Sequence, residues 1–82
     1  MDITIYATTS CSFCKALAEW LDSQGIQYAK VITDQDSAGM KEFMAVNDGF
    51  LGVPFTVIKS NDGTVTKVQG YDRAKLMTAL HM

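Results

Sequence analysis

The chain contains two cysteines, Cys11 and Cys14, with Ser12 and Phe13 between them. Two thiols at this spacing can close a small reversible disulfide or grip a soft metal ion between two thiolates. As a structural staple the pair would constrain little, and disulfide-braced mini-domains usually carry about four to eight cysteines. The pair therefore reads as chemistry rather than as a brace. Its ordinary alternative is that two small apolar side chains fill a junction, since free cysteine packs well in cores.

What surrounds the pair sharpens the reading. Residues 2–6 (Asp-Ile-Thr-Ile-Tyr) alternate polar and apolar and are β-branched, which predicts a strand. From Cys14 onward the apolar positions Cys14, Leu17, Ala18 and Leu21 recur at helical spacing, flanked by Trp20, and Gly25 supplies a helix stop. The cysteines thus stand where a strand gives way to a helix. A helix N-terminus offers unpaired N–H groups and about half a positive charge, both of which stabilise a thiolate. Cys11, at or just before the first turn, gains most and is the expected nucleophile. Cys14, one turn further in, is the expected resolving thiol. Lys15 adds a nearby positive charge.

The remaining elements follow from the same rules. Residues 26–33 predict a second strand. Asp34, Asp36 and Ser37 are candidate N-caps for a second helix with a face of Met40, Phe43, Met44 and Asn47, ending near Asp48-Gly49. Residues 50–54 form an apolar loop holding the chain's only proline, Pro54. A strand over 55–59, a Ser-Asn-Asp-Gly turn over 60–63 and a strand over 64–68 predict a hairpin. Gly70 ends it, Asp72 caps a last helix, and Leu76, Met77 and Leu80 form that helix's apolar face. The order β-α-β-α-β-β-α implies an α/β fold with one four-stranded mixed sheet. Its first two strands are parallel, joined by a right-handed crossover, and helices flank the sheet.

Composition narrows the function classes. With 82 residues the chain is expected to form one domain spanning 1–82. Seven basic residues against nine acidic ones leave a net charge of −2 with no basic stripe, so no nucleic acid partner is expected. Neither a signal peptide nor an apolar span is visible, so the expectation is a soluble, cytoplasmic monomer with no membrane partner. The five methionines fall on helix faces or at the chain ends, and His81 is penultimate, so none is read as a metal ligand.

Taken together, Thr4-Ile5-Tyr6, Cys11-x-x-Cys14, Gly52-Val53-Pro54 before a strand and Gly70-Tyr71-Asp72 before the last helix resemble the glutaredoxin family. The spacing agrees from Ile3 to Leu80, most closely with small bacterial and archaeal glutaredoxin-like proteins and ribonucleotide-reductase redoxins. The resemblance implies a thioredoxin fold, dithiol–disulfide exchange between Cys11 and Cys14, and electron transport toward protein or small disulfides in the cytoplasm. No tightly bound cofactor is implied, and glutathione is a possible co-substrate. It further implies a cis Pro54 lying against the cysteines, with the Val53 backbone open to pair with a substrate. Gly70, Tyr71 and Asp72 would sit beside the site, with free N–H groups of the last helix's first turn available to a carboxylate, although strand ending and capping account for the same residues. Phe13, extended by Phe50-Leu51, could dock a partner; the same side chains could instead pack on Pro54.

Three departures bear on the substrate. The loop before Cys11 is Ala7-Thr8-Thr9-Ser10, where glutathione-using members usually carry a lysine. The stretch 47–51, ahead of the proline, has no cation, and the family's paired aspartates become Asp72-Arg73. Glutathione would lose two charge-assisted contacts, so a thioredoxin-reductase-like flavoprotein becomes the competing electron donor. The rival class is a copper-type carrier using the C-x-x-C pair, although such carriers run β-α-β-β-α-β. An iron–sulfur-bridged dimer, as some glutaredoxins form, fits poorly with a second cysteine at position 14.

Overall fold

The computed structural model describes residues 1–81. The chain runs β1 (Asp2–Ala7), α1 (Ser12–Ser23), β2 (Ala29–Ile32), α2 (Ser37–Val46), β3 (Phe55–Lys59), β4 (Val65–Gln69) and α3 (Arg73–Ala79). The four strands form one sheet in the order β2-β1-β3-β4. β1 lies parallel to β2, with Thr4 opposite Ala29, and antiparallel to β3, with Tyr6 opposite Phe55. β3 and β4 form the expected hairpin, pairing Phe55 with Gln69 and Lys59 with Val65. This is the α/β mixed sheet that the element order implies, and the thioredoxin architecture that the resemblance implies.

Each face of the sheet is covered differently. Ile3, Ile5 and Ala7 alternate along β1 and meet Ile58, Val68, the α1 residues Cys14, Leu17, Trp20 and Leu21, and Leu76 of α3 in one buried cluster. The opposite face buries Tyr6 and Phe55 beneath Phe43 of α2. There the Phe43 ring meets Phe55 edge-on at 5.7 Å and Tyr6 at 5.5 Å between centroids. Arg73 lies over the Trp20 ring at 5.2 Å, linking α3 to α1 outside the core.

The second helix corrects its expected face. Of Met40, Phe43, Met44 and Asn47, the structure buries Phe43 and Asn47, whereas Met44 is 55% exposed and Met40 is exposed too. Gly39 is the contact that decides this, because a methyl group there would collide with Val31 Cγ1 on β2. The bare glycine brings the helix down on the sheet along the 39–43–46–47 line and turns the methionines outward. Asp36, not Asp34 or Ser37, caps the helix through the Gly39 N–H at 3.0 Å. The second strand is also shorter than residues 26–33, because only Ala29–Ile32 pair with β1. Ile26 and Tyr28 pack on the core from the preceding loop. On α3 Leu76 is buried while Met77 is exposed.

Candidate active site

Cys11 is the N-cap of α1. Its backbone is extended (φ −87°, ψ 108°), and its Sγ accepts the Cys14 backbone N–H at 3.1 Å. A sulfur thus occupies the place where Ser, Thr or Asp usually satisfies a free N–H of the first turn. The same sulfur approaches the Val53 carbonyl oxygen at 3.7 Å, so the loop ahead of β3 reaches the cysteine turn. The Val53–Pro54 peptide bond is cis, as the resemblance implies, and Pro54 is buried.

The two thiols stand in opposite environments. Cys11 is half-buried, whereas Cys14 is only 2% exposed. Burial, reinforced by the bond between its thiol and Cys11, pushes the Cys14 thiol up to about 12, against weaker help from the Thr8 N–H and the Lys30 charge. Below that value Cys14 keeps its proton. Alkylation by iodoacetamide at neutral pH should therefore modify Cys11 alone, with Cys14 reacting only as the solution becomes strongly alkaline. Peptide mapping after a pH series checks this, and equal labelling of both residues at pH 7 would contradict it.

The structure gathers some of the remaining expected residues and separates others. Gly70 donates its N–H to the Pro54 carbonyl at 2.8 Å, which fastens the start of the 70–72 segment beside the proline loop. That N–H is consequently taken up within the fold. Tyr71 is half-buried against the cluster that contains Cys14. The Asp72 side chain accepts the Lys75 N–H at 3.1 Å, an ordinary cap. Phe13 and Leu51 stay exposed, at 64% and 69%, and neither is buried on Pro54. Phe50 instead turns inward toward Phe55, at 6.1 Å between ring centroids.

Two stabilising features were not read from the sequence. Asn47 is buried and organises the turn leading to the proline loop, accepting the Gly49 N–H at 3.1 Å while its carbonyl takes the Phe50 N–H at 2.9 Å. Asp48 (φ 52°) and Gly49 (φ 84°) make that turn left-handed, and Asp48 pairs with Lys67 at 3.1 Å. Asp34 joins residues 25 positions away, accepting the Thr9 hydroxyl at 2.6 Å and the Thr9 N–H at 3.2 Å. An Asn-Asp-Gly run hints at the first; no local signal announces the second.

Among the described residues no three His, Cys, Asp or Glu side chains converge to hold a metal ion, and no helix is long and apolar enough to cross a membrane. Met82, expected to be an unliganded tail residue, lies outside the described residues.

Comparison with known proteins agrees with this geometry. Residues 3–62 match the glutaredoxin family model. Mycoredoxin 1 of Corynebacterium glutamicum is 38% identical over 63 residues, covering 77% of this chain and 75% of that protein. The solved structure of the thioredoxin-like protein BC3987 superposes with a TM-score of 0.78 at 26% identity, covering 95% of this chain and 99% of the other. The NrdH-redoxin of Escherichia coli shares the fold, with a TM-score of 0.76 at 22% identity, over 100% and 97% of the two chains. The chain belongs to the glutaredoxin family. It is accordingly a thiol–disulfide oxidoreductase, and the copper-carrier alternative finds no support.

Proposed function

We propose that the protein reduces disulfides by a dithiol relay in which Cys11 attacks and Cys14 resolves. The observation that carries this is the asymmetry of the pair: an accessible Cys11 sulfur on the helix N-terminus, 3.1 Å from the Cys14 N–H, above a buried Cys14 that retains its proton. The Cys11 thiolate attacks one sulfur of R–S–S–R, that bond breaks, and the first thiolate leaves to take up a proton. The Cys14 sulfur then bonds to Cys11, the mixed disulfide breaks, and the departing second thiolate takes up the Cys14 proton. One disulfide is reduced to two thiols, and the protein dithiol is oxidised to one disulfide. No resident cofactor takes part. The Val53 backbone would pair with the substrate chain, Tyr71 and Asp72 would border it, and the exposed Phe13 and Leu51 would meet an apolar protein surface.

The electron donor we favour is a thioredoxin-reductase-like flavoenzyme in the reducing cytoplasm, in preference to glutathione. Residues 7–10 and 47–51 contain no cation to meet a glycyl carboxylate, and the Gly70 N–H is already used by Pro54. An NADPH-coupled assay decides between them, one arm supplying glutathione with its reductase and the other thioredoxin reductase. The glutathione arm should be slow, and Thr8→Lys should raise it by about tenfold, the worth of one charge-assisted contact. Robust wild-type turnover with millimolar glutathione, indifferent to that substitution, would refute the preference.

A further inference from the structure

The loop that presents Cys11 is fastened from the adjoining C-terminal end of β2, where Ile32 lies opposite Ala7. Thr33 donates both its N–H (2.9 Å) and its hydroxyl (3.2 Å) to the Ala7 carbonyl, and its neighbour Asp34 takes the Thr9 N–H and hydroxyl. Thr9 is two residues before Cys11, so their Cα atoms are at most about 7.6 Å apart. A carboxylate is therefore tied to the loop that leads to the nucleophile, where the sequence provides no positive charge. The Thr9 hydroxyl bond keeps the Asp34 carboxyl below its usual range, so it is ionised throughout the working pH of a thiol enzyme.

We propose that Asp34 determines substrate charge: held on Thr9, it disfavours disulfides that carry carboxylates near the scissile bond and favours neutral or cationic ones. This rests on the relay described above and specifies the substrate class that the relay accepts. Lys30 also sends its field toward the pair, but it acts on the buried Cys14 from β2. Asp34, in the connection between β2 and α2, is bonded instead to the loop ahead of the attacking sulfur. Its effect is that of an exposed charge, so it is modest and screened by salt.

The test compares three symmetric disulfides that differ in charge: cystamine, hydroxyethyl disulfide and dithiodipropionate. Dithiothreitol regenerates the protein dithiol, and kcat/KM is measured at low and at 0.5 M salt after subtraction of the uncatalysed rate. Asp34→Asn keeps an oxygen for Thr9 while removing the charge. It should raise kcat/KM for the anionic substrate and lower it for the cationic one, each by about two- to fivefold at low salt, leaving the neutral substrate unchanged. High salt should erase the difference. The charge-matched control is Asp62→Asn; Asp62 caps the β3–β4 turn, at the end of the sheet where the Met1 amino group bonds Asn61, away from Cys11. Equal changes for all three substrates would show a merely structural role and overturn the proposal. So would an unaltered charge order, or the same shift from Asp62→Asn. Failure of the wild type to reduce the neutral hydroxyethyl disulfide would sink the relay itself, a separate result.

Discussion

Under the proposed relay Cys11→Ser should lose disulfide reduction altogether, while Cys14→Ser should halt the reaction at its midpoint. The first substitution removes the cysteine sulfur that is accessible and caps the N-terminus of α1. The second leaves that sulfur free to attack but removes the group that must expel the second thiol. Incubated with hydroxyethyl disulfide, Cys14→Ser should carry one mixed-disulfide adduct on Cys11, and Cys11→Ser should carry none. Intact-mass spectrometry separates these products. An adduct at Cys14 in the Cys11→Ser protein, formed as fast as the wild-type reaction, would reverse the assigned roles.

Phe43→Ala should cost about 3–5 kcal/mol, the range of large aromatic truncations in cores. That is a substantial part of the roughly 5–15 kcal/mol that holds a small domain together. Phe43 is the large side chain that α2 buries, and it contacts the Tyr6 and Phe55 rings on that face of the sheet. Urea denaturation followed by far-ultraviolet dichroism should show a lower midpoint with an unchanged slope. A loss below about 1 kcal/mol would mean that the aromatic cluster does not anchor the helix. Met44→Ser on the same helix, removing a side chain that is 55% exposed, should barely move the midpoint.

The contrast between Phe43 and Met44 also marks what the sequence could and could not reveal. Element order was legible because periodicity and caps are local: β3 falls on residues 55–59 as predicted, and Asp72 caps α3. The cysteines were legible because a strand-to-helix corner is itself a local pattern. Which stripe of α2 faces inward was not, since three neighbouring apolar residues make several stripes plausible. The choice was made by Gly39 against Val31, a contact between different elements. Asp34 failed for a related reason. As a short acid ahead of a helix it has the qualities of a cap, and only the fold reveals that Thr9 has claimed it while Asp36 does the capping. The bond from the Gly70 N–H to the Pro54 carbonyl was likewise illegible, because its two ends are sixteen residues apart in sequence.

The burial of Cys14 has a bearing on oxidative damage. A peroxide arriving from solvent meets the Cys11 sulfur first, because Cys14 is only 2% exposed and keeps its proton. Oxidation would begin with a sulfenic acid on Cys11, one rung below the irreversible sulfinic and sulfonic forms. The sheltered thiol beside it can condense with that sulfenic acid, expelling water and leaving the same intramolecular disulfide that the proposed relay produces. A reductant that recycles the protein then repairs the lesion as well. The apolar cluster that buries Cys14 would thus keep a spare reducing equivalent out of the oxidant's reach until it is needed.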